Sequence, residues 1–112
     1  MFFNFNSIDQ ISPELASEEI KSPDVTLLDV REVAEYQQAR ISGCKLFPTS
    51  LIMLKENELD QFKNTTIIVY CHVGNRSLQV ARWLDKKGFK VKNMTGGIVN
   101  WVQSGLPVVS GK

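Results

Sequence analysis

The sequence has few of the residues that hold small proteins together through disulfides or metals. Its 112 residues include two cysteines, Cys44 and Cys71, and one histidine, His72. Two cysteines are too few for a disulfide scaffold or a thiolate metal cage, and a single histidine argues against a zinc site. We therefore expect a reduced domain that holds no metal and is stabilised by a hydrophobic core.

Strong net charge and long apolar runs are also missing. The formal net charge is +1, which leaves no electrostatic footprint for nucleic acid or a membrane surface. The apolar runs are much shorter than a membrane-spanning helix. Residues 1–6 lack a basic stretch followed by an apolar one, so we expect no secretory signal and a cytoplasmic location. Their three phenylalanines, Phe2, Phe3 and Phe5, are expected to cover the edge of the core.

Strand and helix patterns alternate along the chain, which predicts one α/β domain over residues 1–112. Because strands and helices alternate, the sheet should be mainly parallel and covered by helices on both faces. Ser12 is the expected cap of the first helix, with Pro13 at its first position. The predicted strands are 25–30, 44–47, 65–70 and 90–94. The predicted helices are 13–21, 32–38, 50–62 in two pieces, 77–87 with a start near 75, and 97–101.

The loop after the strongest strand, residues 65–70, holds the most informative chemistry. It reads Cys71-His72-Val73-Gly74-Asn75-Arg76-Ser77, and sites in parallel sheets form at the carboxyl ends of strands. A short glycine-containing loop that leads into a helix can direct backbone N–H groups inward and bind an anion. The sequence therefore predicts a reactive thiol, Cys71, at the rim of an anion-binding loop.

Acidification of this thiol would gain little reactivity by itself. A pKa lowered by about two units raises the thiolate fraction at pH 7 about 24-fold. The same change lowers the intrinsic nucleophilicity about eightfold, so the net gain is only about threefold. We therefore expect the loop N–H groups to hold an anionic substrate and an anionic group on the sulfur. The alternative, a merely buried cysteine, is the interpretation given to Cys44.

Two loop side chains leave alternatives open. His72 either assists anion binding and tunes Cys71 or simply points to solvent. Arg76 either presents its guanidinium fork to an anion or pairs with a carboxylate and fixes the loop, and the second interpretation is favoured.

These motifs resemble those of the rhodanese domain, a sulfurtransferase module that carries sulfur as a cysteine persulfide. The resemblance covers about residues 27–108 and implies a three-layer α/β domain with a mainly parallel sheet of about five strands and helices on both faces. It rests on the loop 71–77 together with segments before and after it in the expected order: Leu27-Leu28-Asp29-Val30-Arg31-Glu32, Glu35-Tyr36, Gly88-Phe89, Gly96-Gly97-Ile98, Trp101 and Gly105-Leu106-Pro107.

The resemblance also implies roles. Cys71 is the expected nucleophile and persulfide carrier, residues His72 to Ser77 are the expected substrate-binding residues, and Asp29 and Arg31 are expected to support the loop. No cofactor is implied. The expected partners are small sulfur-containing anions or persulfides and a sulfur-acceptor protein. The chain departs from the family at Arg40, where a histidine is usual.

Two other functions compete with sulfur transfer. Cysteine phosphatases and arsenate reductases use a related loop, but with one residue more between cysteine and arginine than the four that separate Cys71 from Arg76 here. A shorter loop suits one sulfur atom better than a tetrahedral phosphate. The other alternative is a docking module without catalysis; domains that serve as docking modules have usually lost the cysteine, so the retained Cys71 argues against it.

Overall fold

A computed structural model describes residues 7–112 and contains one sheet of five parallel strands in the order β1-β5-β4-β2-β3. The strands are β1 (Asp9–Ile11), β2 (Val25–Asp29), β3 (Lys45–Leu46), β4 (Thr66–Tyr70) and β5 (Lys90–Met94). The helices are α1 (Pro13–Glu19), α2 (Val33–Gln38), α3 (Glu56–Leu59), α4 (Asn75–Lys86) and α5 (Gly97–Gln103). Short 3₁₀ turns at residues 52–55 and 60–62 flank α3. The α/β class and the parallel sheet are thereby confirmed.

Strand β1 is the one element that the sequence pattern did not predict. It has three residues at the edge of the sheet, and only Ile11 is buried while Asp9 and Gln10 are exposed. Three residues with one apolar side chain carry no alternation that could be detected. Its pairing with β5 nevertheless places Gln10 beside Asn93, a residue that matters for the site.

Alternation along β4 divides the core into two halves. Ile67, Val69 and Cys71 face one half, which also contains Val80, Ala81 and Leu84 of α4. Ile68 and Tyr70 face the other half, with Ala16 of α1 and Trp101 of α5. Successive side chains of a strand point to opposite faces, so helices cover the sheet on both sides, as predicted.

Residues 109–111 form a strap that is hydrogen-bonded to the end of α2 and to Arg40. Val109 pairs with Arg40 in an isolated antiparallel bridge. The Arg40 guanidinium donates to the carbonyl oxygens of Tyr36, at 3.2 Å, and of Gly111, at 2.6 Å. It also lies over the Tyr36 ring, 4.3 Å from the centroid. The arginine that replaces the usual histidine thus ties the strap to α2.

Two sequence predictions, on the N-terminal phenylalanines and on the location of the protein, are not tested by the fold. The expectation for Phe2, Phe3 and Phe5 lies outside the described residues. Within residues 7–112, no helix is both long and apolar enough to cross a membrane. The cytoplasmic location stays a prediction.

Candidate active site

Cys71 follows β4 directly and is almost completely buried, with 1% of its surface exposed. Its Sγ accepts hydrogen bonds from the backbone N–H of Gly74, at 3.1 Å, and of Ser77, at 3.4 Å. Gly74 has a φ of +111°, a left-handed conformation that side chains with a Cβ rarely adopt. This turn lets the chain curl around the sulfur before α4 begins at Asn75.

The N-terminus of α5 holds the other side of the loop. The N–H of Ile98 donates to the carbonyl oxygen of Cys71, at 2.9 Å, and the N–H of Val99 donates to that of His72, at 3.2 Å. In a trans peptide the C=O and the next N–H point in opposite directions. The N–H groups of His72 and Val73 are therefore directed away from α5.

Gly97 makes this close approach feasible. A Cβ at this position would overlap the carbonyl oxygen of His72 and lie 2.5 Å from that of Cys71. The residue also has a φ of +62°. Only glycine satisfies both the conformation and the space at this point.

Several loop N–H groups remain available for a ligand. Among the described residues, the N–H groups of His72, Val73 and Asn75 donate to no protein acceptor. They lie at or next to the N-terminus of α4, a helix of 12 residues. Successive loop N–H groups and the positive end of a helix dipole together favour an anion. The geometry therefore suits an anion at this loop, and anion binding by the loop stays a prediction.

Other groups of the loop lower the pKa of Cys71. Burial by itself raises this pKa, but the nearby Ser77 hydroxyl and hydrogen bonds from the backbone N–H groups of Ser77, Gly74 and Arg76 outweigh it. Cys44 provides the contrast, because burial raises the pKa of its thiol and no such loop surrounds it. Cys44 packs against the half of the core that contains Tyr70. The structure thus supports the different interpretations given to the two cysteines.

Asn93 is a site residue that sequence reasoning missed. It is 3% exposed and lies on β5, behind the loop. Its Oδ1 accepts from the Ser77 hydroxyl at 2.6 Å, and its Nδ2 donates to the Gly74 carbonyl at 3.5 Å and to Gln10 Oε1 at 3.3 Å. The available signal was an asparagine among the apolar positions of a predicted strand, since buried amides need partners.

Asp29 and Arg31 form a buried ion pair that is linked to Cys71 through the preceding residue, Tyr70. Arg31 donates from Nε and Nη2 to the Asp29 carboxylate, at 3.0 and 2.8 Å. Asp29 also accepts from the Tyr70 hydroxyl at 2.7 Å. Burial and the Asp29 charge raise the pKa of Tyr70, so its hydroxyl stays a proton donor. The pair thus holds the residue that precedes Cys71 and makes no direct contact with the sulfur.

Arg76 is paired with Glu35 of α2. Its two terminal nitrogens donate to the two carboxylate oxygens, both at 2.8 Å. Hydrogen bonding from Arg76 lowers the pKa of Glu35 to about 2, although partial burial opposes the shift. This geometry agrees with the structural interpretation of Arg76. Glu35 belonged to the first sequence signature but was not predicted as a site residue.

Two grooves flank this ion pair. The first has a volume of about 420 Å³ and is lined by Met53, Trp83 and Arg76, among others. The second has a volume of about 480 Å³ and is lined by Glu35 and by His72, which is exposed. The Arg76–Glu35 pair therefore stands at the boundary between the two grooves, beside the loop.

Comparisons with known proteins agree with this geometry. The family profile of the rhodanese-like domain matches residues 12–104. A sulfurtransferase of Allochromatium vinosum is 33% identical over 105 residues, which cover 92% of this chain and 96% of that protein. The thiosulfate sulfurtransferase GlpE of Glaesserella parasuis is 30% identical, with coverage of 91% and 94%. Other relatives are longer, since the chain covers 53% of one from Bacillus subtilis that is 38% identical.

Solved structures give the same result for the fold. The crystal structure of a rhodanese-related protein from Thermoplasma volcanium superposes with a TM-score of 0.83 at 32% identity. The match covers 90% of this chain and 97% of that one. The predicted rhodanese-like α/β fold is thereby confirmed.

Proposed function

Because the chain belongs to the rhodanese-like family, we propose that it is a sulfurtransferase that carries a sulfane sulfur as a persulfide on Cys71. The observation that supports this most directly is the surroundings of its Sγ. Two backbone N–H groups already contact the sulfur, and three more in the loop have no protein acceptor. We treat residues 1–112 as one catalytic domain.

The first half of the reaction loads the enzyme. The Cys71 thiolate attacks the outer sulfur of a donor such as thiosulfate, S–SO₃²⁻. A bond forms between Sγ and that sulfur, the S–S bond of the donor breaks with its electron pair on the leaving group, and sulfite departs. The product is a Cys71 persulfide anion, so charge and atoms balance without a redox partner. This is covalent catalysis by double displacement.

The second half passes the sulfur on. A thiophilic acceptor, either a small nucleophile or a thiolate of a partner protein, attacks the outer sulfur, and the thiolate of Cys71 leaves. We assign to the N–H groups of His72, Val73 and Asn75 the role of holding the negative charge of the persulfide between the two steps. Fixed dipoles of this kind need no reorganisation when the charge forms.

Mass spectrometry of the intact protein tests the proposal. Incubation with thiosulfate should add the mass of one sulfur atom, and peptide mapping should locate it on Cys71. The Cys71→Ser variant should not load, whereas Cys44→Ser, the matched control, should load as the wild type does. Wild-type protein that stays unloaded by both thiosulfate and a small persulfide would favour the docking-module alternative.

The phosphatase alternative is less compatible with the geometry. Phosphate held in a cysteine loop needs a cation for its oxygens, and the guanidinium of Arg76 is bound to Glu35. Only four residues separate Cys71 from Arg76. Cysteine-dependent hydrolysis of an aryl phosphate at a rate comparable with sulfur transfer would overturn this preference.

A further inference from the structure

Within residues 7–112, the two arginines beside the loop are both paired with carboxylates. Arg31 is bound to Asp29 and both groups are buried. Arg76 is bound to Glu35 through two parallel hydrogen bonds. In the described part of the loop, the groups left to meet a donor are backbone N–H dipoles and the exposed His72. The site therefore offers polar contacts to a donor, while both guanidinium groups are already paired with carboxylates.

The Arg76–Glu35 pair is held in place from the α2 side. The Glu35 Oε1 also accepts the backbone N–H of Glu32, at 3.0 Å, as part of the capping box of α2. The carboxylate is thus fixed to the helix that carries it. With a pKa of about 2, it stays charged throughout the neutral pH range.

The charge of the donor then decides how well it is bound, and the two classes of donor, thiosulfate and alkyl persulfides, differ in charge. Thiosulfate is a dianion that approaches a thiolate and releases sulfite, also a dianion. An alkyl persulfide, RS–SH, approaches with at most one negative charge and with none when protonated. A site with an unpaired guanidinium would offset the repulsion of the dianion, whereas a site with a neutralised one favours the persulfide.

From this geometry we infer that Glu35 is a specificity-determining residue, which withholds Arg76 from anionic donors and so directs the site toward alkyl persulfides. This inference rests on the proposed function. In the loading step, the Cys71 thiolate attacks the outer sulfur of RS–SH. The new S–S bond forms as the old one breaks, and RS⁻ leaves, so that Cys71–S–SH and one thiolate are the products.

The Glu35→Gln variant tests this directly. Glutamine keeps the shape and can still accept the Glu32 N–H, but it does not neutralise Arg76. We expect the ratio of kcat/KM for thiosulfate to kcat/KM for an alkyl persulfide to rise about fivefold, the upper range of exposed ion-pair effects. The gain should fall on KM for thiosulfate and shrink at high salt.

Two further variants isolate the cause. Glu19→Gln is the matched control, because Glu19 forms an ion pair of similar exposure with Lys92 on β5, and its loss changes the net charge equally. This control should leave the ratio at the wild-type value. The double variant Glu35→Gln/Arg76→Gln should lose the gain, because the released guanidinium is then absent.

The outcomes separate this inference from the proposed function. If neither donor loads Cys71 in the wild type, the proposed function fails. If both donors load it and Glu35→Gln leaves the ratio unchanged, or the double variant keeps the gain, the role of Glu35 alone is refuted. The wild type provides a check that needs no variant: a KM for thiosulfate at or below that for the persulfide would also refute it.

Discussion

The contact between Gly97 and the loop predicts how much stability the Gly97→Ala variant loses. Gly97→Ala would place a methyl group against the carbonyl oxygens of Cys71 and His72. These are backbone atoms held by hydrogen bonds from Ile98 and Val99, so they cannot rotate away as a side chain could. Either α5 or the loop must move.

Two costs add at this position. An alanine in the left-handed region costs about 1–2 kcal/mol. Overpacking against well-packed neighbours costs typically another ~1–3 kcal/mol. We therefore expect Gly97→Ala to lower the free energy of unfolding by about 2–5 kcal/mol, within the total stability of about 5–15 kcal/mol that is usual for such a domain.

Gly105→Ala is the matched control. Gly105 follows the other end of α5 and has a φ of +80°, yet a Cβ there would meet no atom within 4 Å. This variant should show only the conformational cost of about 1–2 kcal/mol. The difference between the two variants measures the contact with the loop.

Urea denaturation and sulfur loading are the two assays. Gly97→Ala should unfold at lower urea than Gly105→Ala with the same slope. The folded fraction of Gly97→Ala should also load Cys71 more slowly, because the loop carbonyls have shifted. Equal stability of the two variants, with wild-type loading in both, would refute the claim that α5 holds the loop.

Three other predictions concern the groups around the site. Ser77→Ala should raise the pKa of Cys71, because it removes the hydroxyl whose proximity lowers that pKa, and the pH dependence of alkylation, followed at Cys71 by mass spectrometry, should shift upward; an unchanged profile would contradict this. Asp29→Asn should cost about 3–5 kcal/mol in urea denaturation, since it leaves a buried guanidinium without its charged partner, and a loss below about 1 kcal/mol would show that the pair is dispensable. The ion pair of Glu35 stabilises the fold above the ordinary pKa of 4.5 and is lost as the pH falls toward about 2, so Glu35→Gln should lose less stability than the wild type over that range, and identical pH profiles would argue against the pair.

The sequence predicted most of the fold because its elements have clear local signals. The strands 66–70 and 90–94 and the capped helix at Pro13 are present as expected. The segment 50–62 is helical but consists of 3₁₀ turns around α3 rather than two helices. Strand β1 was missed because an edge strand of three residues owes its existence to pairing with β5 and has no local pattern of its own.

The site was predicted less completely, for a physical reason. The position of Cys71 follows from the end of one strand and the start of one helix, both of which are local features. The contributions of Glu35, Asn93 and Gly97 depend on α2, β5 and α5 arriving at the loop from distant parts of the chain. Only the folded arrangement shows that Arg76 pairs with Glu35 and that Asn93 binds Ser77.

The hydrogen bonds from α5 to the loop also allow opening of the loop to be measured by hydrogen exchange. Amide protons in the first turn of a helix usually exchange rapidly with water because they lack intrahelical acceptors. Those of Ile98 and Val99 are bound to the carbonyl oxygens of Cys71 and His72, so they exchange only when the loop separates from α5. Their hydrogen-exchange rates therefore report the free energy of opening at Cys71 itself.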